Sequence, residues 1–241
     1  METSTTEDAL LGGRVRFLQP RRGYRVAVDA VLLAAAINPA AGERVLDLGA
    51  GVGAVGLCLA VRIPGCHVVC LELQPELAAL ARRNVQANGL ADRVEVVVHD
   101  IAAALPTALG LFDQVATNPP YLAAAVADPS PNPIKALATV ESSADLRRWL
   151  AVATAALKPE GTLTLVHRSD RLEEIADILT TLGWSDIAVK RLPPASRVLV
   201  RARRAATRRL HQSPPLVLHK EDGGYTDEAE AILRHGAPLS F

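Results

Sequence analysis

The chain has 241 residues, 49% of them apolar, and it carries 26 basic and 26 acidic side chains. This length and apolar content allow one sizeable core, so a single domain is the default expectation. Zero net charge excludes global charge as an argument for nucleic acid binding. No run approaches the ~20 apolar residues of a membrane span, and the polar, acidic start predicts neither a signal peptide nor a transit peptide.

The three cysteines, Cys58, Cys66 and Cys70, lie in or beside apolar runs. Their odd number favours small buried side chains in a reducing cytoplasm over a disulfide framework. A metal site is not expected, because neighbouring residues of a strand point to opposite faces and no second pair has zinc spacing. We therefore expect a cytoplasmic protein without a metal ion.

From residue 44 onward, short apolar runs alternate with helical patterns, which predicts βαβ units and a parallel sheet. The first four strands are predicted over 45–48, 67–73, 94–98 and 112–117, with helices over 54–62 and from Pro75 to Asn88-Gly89. Pro75 suits a first helical position, and Asn88-Gly89 tolerates the left-handed conformation that ends a helix.

The second half begins with a proline-rich stretch over 127–135, which predicts a working loop because it is too long for a tight connection. A helix (144–157), a strand (161–167), a second helix (172–182) and two strands (184–190 and 197–200) follow. Only a short Pro-Pro segment separates the last two strands, so they must be antiparallel. The pattern predicts an α/β, Rossmann-like class I methyltransferase fold, with a seven-stranded, mostly parallel sheet in which one strand is antiparallel.

Two segments flank this core, which we place at 44–204. Residues 1–43 contain a helix candidate over 28–37, and we expect them to cap the substrate and the cofactor. Residues 205–241 form a proline-rich and charged C-terminal extension with a short helix predicted over 227–233.

A cofactor site is predicted where the first strand ends. Asp47 precedes a turn with glycines at Gly49, Gly51 and Gly53, which allow a tight bend and the close approach of a ligand. Glu72 ends the next strand about 20 residues after the last glycine, the offset at which an acid accepts from ribose hydroxyls. Asp100 follows the third strand, where it can accept from an adenine amino group or cap a helix.

The same glycines also fit the fingerprint of a dinucleotide site, since Gly51-Val52-Gly53-Ala54-Val55-Gly56 reads GxGxxG. Two features argue against NAD or FAD. Asp47 would bring negative charge to a pyrophosphate, whereas it suits the cationic methionine end of S-adenosylmethionine. No candidate for hydride chemistry follows.

A rigid corner follows the fourth strand at Asn118-Pro119-Pro120-Tyr121. The two prolines remove two backbone donors and fix two φ angles, so the chain can neither extend the sheet nor begin a helix. The corner presents an amide side chain, two carbonyls and an aromatic face. These groups can hold a planar, NH₂-bearing ring against a reagent.

Together, the glycine turn, the acid after the second strand and this corner resemble the amino-methylating class I methyltransferases. Further segments look like the tRNA adenine methyltransferases that modify adenine 37, just 3′ of the anticodon of a valine tRNA: 12–25 (GGRVRFLQPRRGYR), 29–33 (DAVLL), 215–218 (PLVL) and 224–226 (GYT). The resemblance spans most of the chain, and its N-terminal part is the most specific. It implies S-adenosylmethionine as cofactor and tRNA as partner.

The resemblance also implies roles for individual residues. The Asn118 side chain and the Pro119 carbonyl would accept the two amino hydrogens of adenine, and Tyr121 would stack on the base. Gln19 and Asp29 would help to close the cofactor pocket. Phosphate contacts are predicted for a cluster of five arginines, Arg14, Arg16, Arg21, Arg22 and Arg25.

Other acceptors and classes stay open at this point. The same corner occurs in release-factor methyltransferases, which act on a glutamine amide, although 43 residues before the core are few for their helical N-terminal domain. Another RNA or DNA adenine is a further alternative. An NAD-dependent oxidoreductase and a non-catalytic cofactor-binding subunit represent other classes. We expect a monomer.

Overall fold

The computed structural model describes residues 4–22, 25–121 and 144–241. Its strands are β1 (Thr5–Leu10), β2 (Val15–Pro20), β3 (Arg44–Leu48), β4 (His67–Glu72), β5 (Val94–Val98), β6 (Phe112–Thr117), β7 (Leu157–Arg168), β8 (Asp186–Arg191), β9 (Arg197–Arg203) and β10 (Arg209–Gln212). Its helices in the described ranges are α1 (Val28–Ala35), α2 (Ala54–Arg62), α3 (Pro75–Ala87), α4 (Leu146–Ala155), α5 (Leu172–Thr181) and α6 (Asp227–His235). The predicted loop over 127–135 lies outside the described residues.

The central sheet has eight strands in the order β10-β8-β9-β7-β6-β3-β4-β5. Strand β9 runs antiparallel to both of its neighbours, β7 and β8, and every other pair is parallel. The predicted single antiparallel strand is therefore confirmed. The predicted count of seven strands is one too low, because β10 joins the edge. Its four residues are all exposed, so they lack the apolar alternation that signals a strand.

Helices cover both faces of the sheet, and successive side chains of each strand divide between them. In β3, Val45 belongs to the cluster packed under α1 and α2, whereas Leu46 and Leu48 belong to the cluster packed under α4 and α5. This is the two-sided burial that a parallel sheet requires. Helix α3 begins at Pro75 and is followed by Asn88-Gly89, as predicted, with Gly89 at a φ of 65°.

The flanking segments at both ends of the core pack against the cluster under α1 and α2. Strands β1 and β2 form an antiparallel hairpin, which the sequence did not indicate. Two asparagines hold it, one in α3 and one directly after it. Asn84 bonds both backbone groups of Leu18, at 2.7 and 2.9 Å, and Asn88 does the same for Arg16, at 3.0 and 2.6 Å. At the other end of the chain, α6 buries Ile232 against the same cluster.

None of the helices within the described ranges is long and apolar enough to cross a membrane. The three cysteines are free and buried, as expected. No group of His, Cys, Asp and Glu side chains in the described part of the chain could hold a metal ion.

Candidate active site

The sheet order brings four sequence-predicted elements to one edge. Strands β6, β3, β4 and β5 are neighbours and parallel, so their carboxyl ends lie side by side. The glycine turn follows β3, Glu72 ends β4, Asp100 follows β5 and the Asn-Pro-Pro-Tyr corner follows β6. Open α/β sheets bind their ligands at this edge.

The glycine turn has a backbone that only glycine adopts readily. Gly49, Gly51 and Gly53 have φ angles of 80°, 57° and 86°. At Gly49, an added Cβ would lie 2.7 Å from the ring of Trp149, which packs against the turn from α4. The small size of Gly49 is therefore required by the protein's own packing as well as by its φ angle.

Glu72 fastens this turn to β4. Its Oε2 accepts a hydrogen bond from the Gly51 amide at 2.7 Å, and its Oε1 accepts one from the Gln74 amide at 2.8 Å. Burial raises the pKa of this carboxyl, and the backbone donors of Gln74 and Gly51 act in the opposite direction. Two hydrogen bonds leave further lone pairs of the carboxylate for another donor.

Asp47 lies beneath the turn. It is buried, and its Oδ2 accepts from the Gly56 amide in the first turn of α2 at 3.1 Å. Burial raises its pKa to about 7; the Gly56 amide lowers it and the nearby Glu72 charge raises it further. Asp100 is half-buried, and its Oδ1 accepts from the Ala102 amide at 2.9 Å, which stabilises the turn after β5.

The Asn-Pro-Pro-Tyr corner is anchored to the glycine turn through the preceding residue. The Thr117 hydroxyl donates to the Leu48 carbonyl at 2.8 Å and accepts from the indole Nε1 of Trp149 at 2.6 Å. Pro119 and Pro120 are buried, whereas Asn118 and Tyr121 are half-buried. The backbone of the corner is therefore held in place by buried prolines, and its two polar side chains are partly accessible.

Tyr121 is the centre of a cluster of four side chains, which we call the tyrosine cluster: Tyr121, Asn118, Asp29 and Arg197. The tyrosine hydroxyl lies 2.6 Å from Oδ1 of Asn118 and 3.0 Å from Oδ2 of Asp29. The Arg197 guanidinium lies over the tyrosine ring, 4.4 Å from its centroid, and its Nε is 3.3 Å from the same Asp29 oxygen.

His167, at the end of β7, also contacts Tyr121. The two ring centroids are 5.3 Å apart, and the rings meet at 82°. Burial lowers the pKa of His167 to about 4, and the nearby Arg171 charge acts in the same direction. The imidazole is therefore neutral at physiological pH. Sequence reasoning missed both His167 and Arg197, which reach the site from β7 and β9, paired strands with register Arg168↔Arg197.

Of the two residues predicted to close the cofactor pocket, Gln19 lies in the N-terminal hairpin region. Its Nε2 donates to Asp8 and its Oε1 accepts from the Val26 amide. Asp29 lies instead at the corner after β6, within the tyrosine cluster. The structure therefore brings Asp29, but not Gln19, into hydrogen-bond contact with the corner.

The five arginines predicted to contact phosphate fall into two groups. Arg16 pairs with Glu7, Arg25 pairs with Asp8, and the Arg14 Nε donates to the Leu11 carbonyl. Arg21 and Arg22 are exposed at the end of β2. Only these two present side chains that no contact within the described ranges engages.

Comparison with known proteins agrees with this geometry. The model of the methyltransferase small domain family matches residues 25–183. The chain belongs to this family, so it is a methyltransferase rather than an oxidoreductase. It is 31% identical to a tRNA1(Val) (adenine(37)-N6)-methyltransferase of Aeromonas hydrophila, covering 86% of this chain and 87% of that protein. A protein of the same name from Porphyromonas gingivalis is 32% identical, with 90% of each chain covered. The resemblance stated from the sequence is thereby confirmed.

A second kind of relative is named for a different acceptor. The release factor glutamine methyltransferase of Deinococcus radiodurans is 39% identical over 67% of this chain, which spans 58% of that protein.

Among solved structures, a predicted O-methyltransferase from Agrobacterium tumefaciens has a TM-score of 0.71 and 26% identity, covering 88% of this chain and 99% of that one. An O-methyltransferase family protein from Burkholderia thailandensis has a TM-score of 0.54 at 19% identity, covering 73% and 55%, and it supports the fold alone.

Proposed function

We propose that the protein transfers a methyl group from S-adenosylmethionine to the exocyclic amino group of an adenine in tRNA, with adenine 37 of a valine tRNA as its target. The observation that carries this proposal is the position of the Asn118 amide. It stands on a rigid corner whose preceding residue, Thr117, is hydrogen-bonded to the strand that leads into the glycine turn. Relatives named for this reaction cover most of the chain.

An adenine amino nitrogen is a poor nucleophile, because its lone pair is delocalised into the ring. The Asn118 side-chain oxygen and the Pro119 carbonyl accept the two amino hydrogens, which concentrates electron density on nitrogen and directs its lone pair. Stacking of the base on Tyr121 contributes about 1–3 kcal/mol. Orientation of two bound reactants can lower a barrier by about 7–11 kcal/mol.

When bound, S-adenosylmethionine supplies an electrophilic methyl group, which leaves its sulfur as the new nitrogen–carbon bond forms. The methylated nitrogen then loses its extra proton to solvent, because that proton is acidic. No side chain is required as a strong base. The target adenine must leave its loop stack to reach the corner.

The residues at the sheet edge fit this cofactor. Glu72 keeps acceptor sites beyond its two backbone bonds, so it can accept from the ribose hydroxyls. Asp100 lies one strand further along, where it can accept from the amino group of the cofactor's own adenine. The turn of Gly49, Gly51 and Gly53 supports the methionine end. Asp47 acts from beneath this turn, where it holds α2 in place.

For the tRNA backbone, Arg21 and Arg22 are the exposed members of the predicted arginine cluster. Arg14, Arg16 and Arg25 support the N-terminal hairpin instead, since each bonds or pairs with one of its residues. A tRNA substrate agrees with a cytoplasmic protein whose cysteines are reduced.

A glutamine amide is the second candidate acceptor, because the release factor relative is 39% identical over 67% of this chain. An amide NH₂ is planar and could occupy the same corner. The N-terminal hairpin and the C-terminal helix favour tRNA, because alignments that extend over about 90% of this chain are with relatives named for tRNA.

The test is methyl transfer in vitro with labelled S-adenosylmethionine. Total tRNA from cells lacking the gene and a purified release factor serve as separate acceptors, followed by nucleoside mass spectrometry. We expect N6-methyladenosine in tRNA, loss of turnover by at least 100-fold in Asn118→Ala, and wild-type turnover in the matched control Asn38→Ala, an exposed asparagine that follows α1. Label in the release factor but not in tRNA would contradict the proposal.

A further inference from the structure

In the tyrosine cluster, more oxygens lie within hydrogen-bond distance of the Tyr121 hydroxyl than its single proton can satisfy. The Tyr121 hydroxyl has one proton, yet it lies within hydrogen-bond distance of two oxygens, Oδ1 of Asn118 at 2.6 Å and Oδ2 of Asp29 at 3.0 Å. A hydroxyl can donate to one of them only. The other pair of oxygens would then face each other without a proton between them.

The contacts of Asp29 decide which oxygen receives the proton. Its carboxylate is paired with Arg197 at 3.3 Å, and both side chains are mostly shielded, at 16% and 28% exposure. An ionised carboxylate can only accept hydrogen bonds, and it is a stronger acceptor than a neutral amide. The tyrosine proton therefore goes to Asp29.

The Asn118 group that faces Tyr121 must then be a donor. A half-turn of the side-chain amide exchanges its oxygen and its nitrogen, which occupy nearly the same positions. After this exchange, the NH₂ group donates to the tyrosine oxygen, and the carbonyl oxygen points away from Tyr121. Every polar atom of the contact is then satisfied.

We propose that Asp29 sets the orientation of the Asn118 amide through the Tyr121 hydroxyl, so that the amide oxygen faces the amino group to be methylated. Asp29 is a positioning residue in this scheme, held by Arg197, and it does not touch the substrate. The inference rests on the proposed function, because it assigns the direction of the acceptor that the reaction needs. It differs from the role in closing the cofactor pocket that the sequence suggested for Asp29.

The scheme predicts how single substitutions alter the amide. In Asp29→Asn, the new amide can donate to the tyrosine oxygen, and the tyrosine proton is then free to bond Oδ1 of Asn118 and hold it away from the substrate. In Tyr121→Phe, the Asn118 amide loses the hydroxyl that orients it. Each change removes an interaction that acts on the reacting group, so kcat falls while the KM for S-adenosylmethionine stays unchanged.

The experiment is a double-mutant cycle on tRNA methylation, with kcat, the KM for S-adenosylmethionine and thermal unfolding measured for each protein. We expect Asp29→Asn and Tyr121→Phe each to lower kcat about 10- to 100-fold, with that KM within twofold of wild type. The double variant should be no slower than the slower single variant, because both act on one amide. Asp29→Glu should recover part of the rate, since it restores the acceptor.

Asp113→Asn is the matched control, because it removes an ion pair with Lys158 at the opposite end of β6. It should retain the wild-type kcat. The proposal is overturned if Asp29→Asn keeps its kcat, if the two effects multiply, or if the loss appears only in cofactor affinity or unfolding temperature. If the wild-type protein does not methylate tRNA, the proposed function is wrong as well. If the wild type is active and Asp29→Asn is equally active, only this inference is wrong.

Discussion

Asp47 is a buried carboxyl whose pKa is raised to about 7. An acid with a raised folded-state pKa binds its proton more tightly in the folded chain than in the unfolded chain. Its contribution therefore lowers the free energy of unfolding as the pH rises from about 4 to about 7, and it changes little above that range. His167 has the opposite effect, because its pKa is lowered to about 4.

The Asp47→Asn variant should separate the pH dependence caused by Asp47 from that caused by His167. The asparagine oxygen can still accept from the Gly56 amide, but it has no proton to lose. Between pH 5 and pH 7 we expect the wild type to lose roughly 2–3 kcal/mol relative to the variant, at ~1.4 kcal/mol per pH unit. Urea unfolding of both proteins at pH 5, 6, 7 and 8 measures this difference, and parallel pH profiles would refute it.

Gly49 offers a second prediction for a single residue. Gly49→Ala combines an unfavourable φ of 80° with a Cβ only 2.7 Å from the Trp149 ring. We expect a loss of about 2–4 kcal/mol in unfolding free energy, from strain of about 1 kcal/mol and overpacking of about 1–3 kcal/mol.

Gly183→Ala isolates the strain, since Gly183 has a φ of 88° and nothing within 4 Å of an added Cβ. It should lose only about 1 kcal/mol. The ring contact at Gly49 also predicts a change in Trp149 fluorescence in Gly49→Ala. Equal losses of unfolding free energy in the two variants would show that the Trp149 contact costs nothing.

Among the elements, the N-terminal hairpin shows how a segment without a strong pattern becomes ordered. Strand β2 satisfies part of its backbone through the side chains of Asn84 and Asn88 rather than through the central sheet. Helix α3, by contrast, was predicted with both of its ends, because proline and glycine act through local stereochemistry. Strand β10 was missed because its stability comes from pairing with β8.

Asn84 makes the stronger of the two links, because it is buried and also donates to the Val52 carbonyl of the glycine turn at 3.0 Å. We expect Asn84→Ala to lower the free energy of unfolding by about 2–3 kcal/mol, since it leaves buried backbone groups unpaired. Asn88→Ala, at a half-buried position after the helix, should cost less, about 1 kcal/mol. Chemical unfolding and hydrogen exchange at the Leu18 amide measure both effects. Equal exchange rates at this amide in the two variants would contradict this account.

For the whole molecule, charge is balanced overall, so the proposed tRNA binding would depend on local charge. Two arginines near the N-terminus, Arg16 and Arg25, pair with Glu7 and Asp8 of the N-terminal hairpin. Arg21 and Arg22 are exposed, and no acid of the described residues pairs with them, so they are the proposed phosphate contacts. This separation of structural and available charge cannot be read from composition, since all five arginines have the same chemistry.

The double variant Arg21→Ala/Arg22→Ala should therefore weaken tRNA binding and reduce its dependence on salt. Each lost phosphate contact lowers the slope of log affinity against log salt concentration by about 0.7–0.9, so we expect a change of about 1–2. Filter binding between 50 and 200 mM salt provides the measurement, with Arg16→Ala as the matched control. An unchanged slope in the double variant would remove these two residues from the interface.

The amino-acid sequence alone was sufficient to predict the α/β fold, the succession of the core strands along the chain, the glycine turn and the Asn-Pro-Pro-Tyr corner. Each of these depends on periodicity or on local stereochemistry, which a short stretch of chain contains completely. The tertiary structure alone decided the partners of the polar groups. Asp29 meets Tyr121 across 92 residues and Arg197 across 168, and no local pattern contains such a pairing. Burial also altered the pKa of Asp47 and His167, because the surroundings of a side chain exist only once the chain has folded.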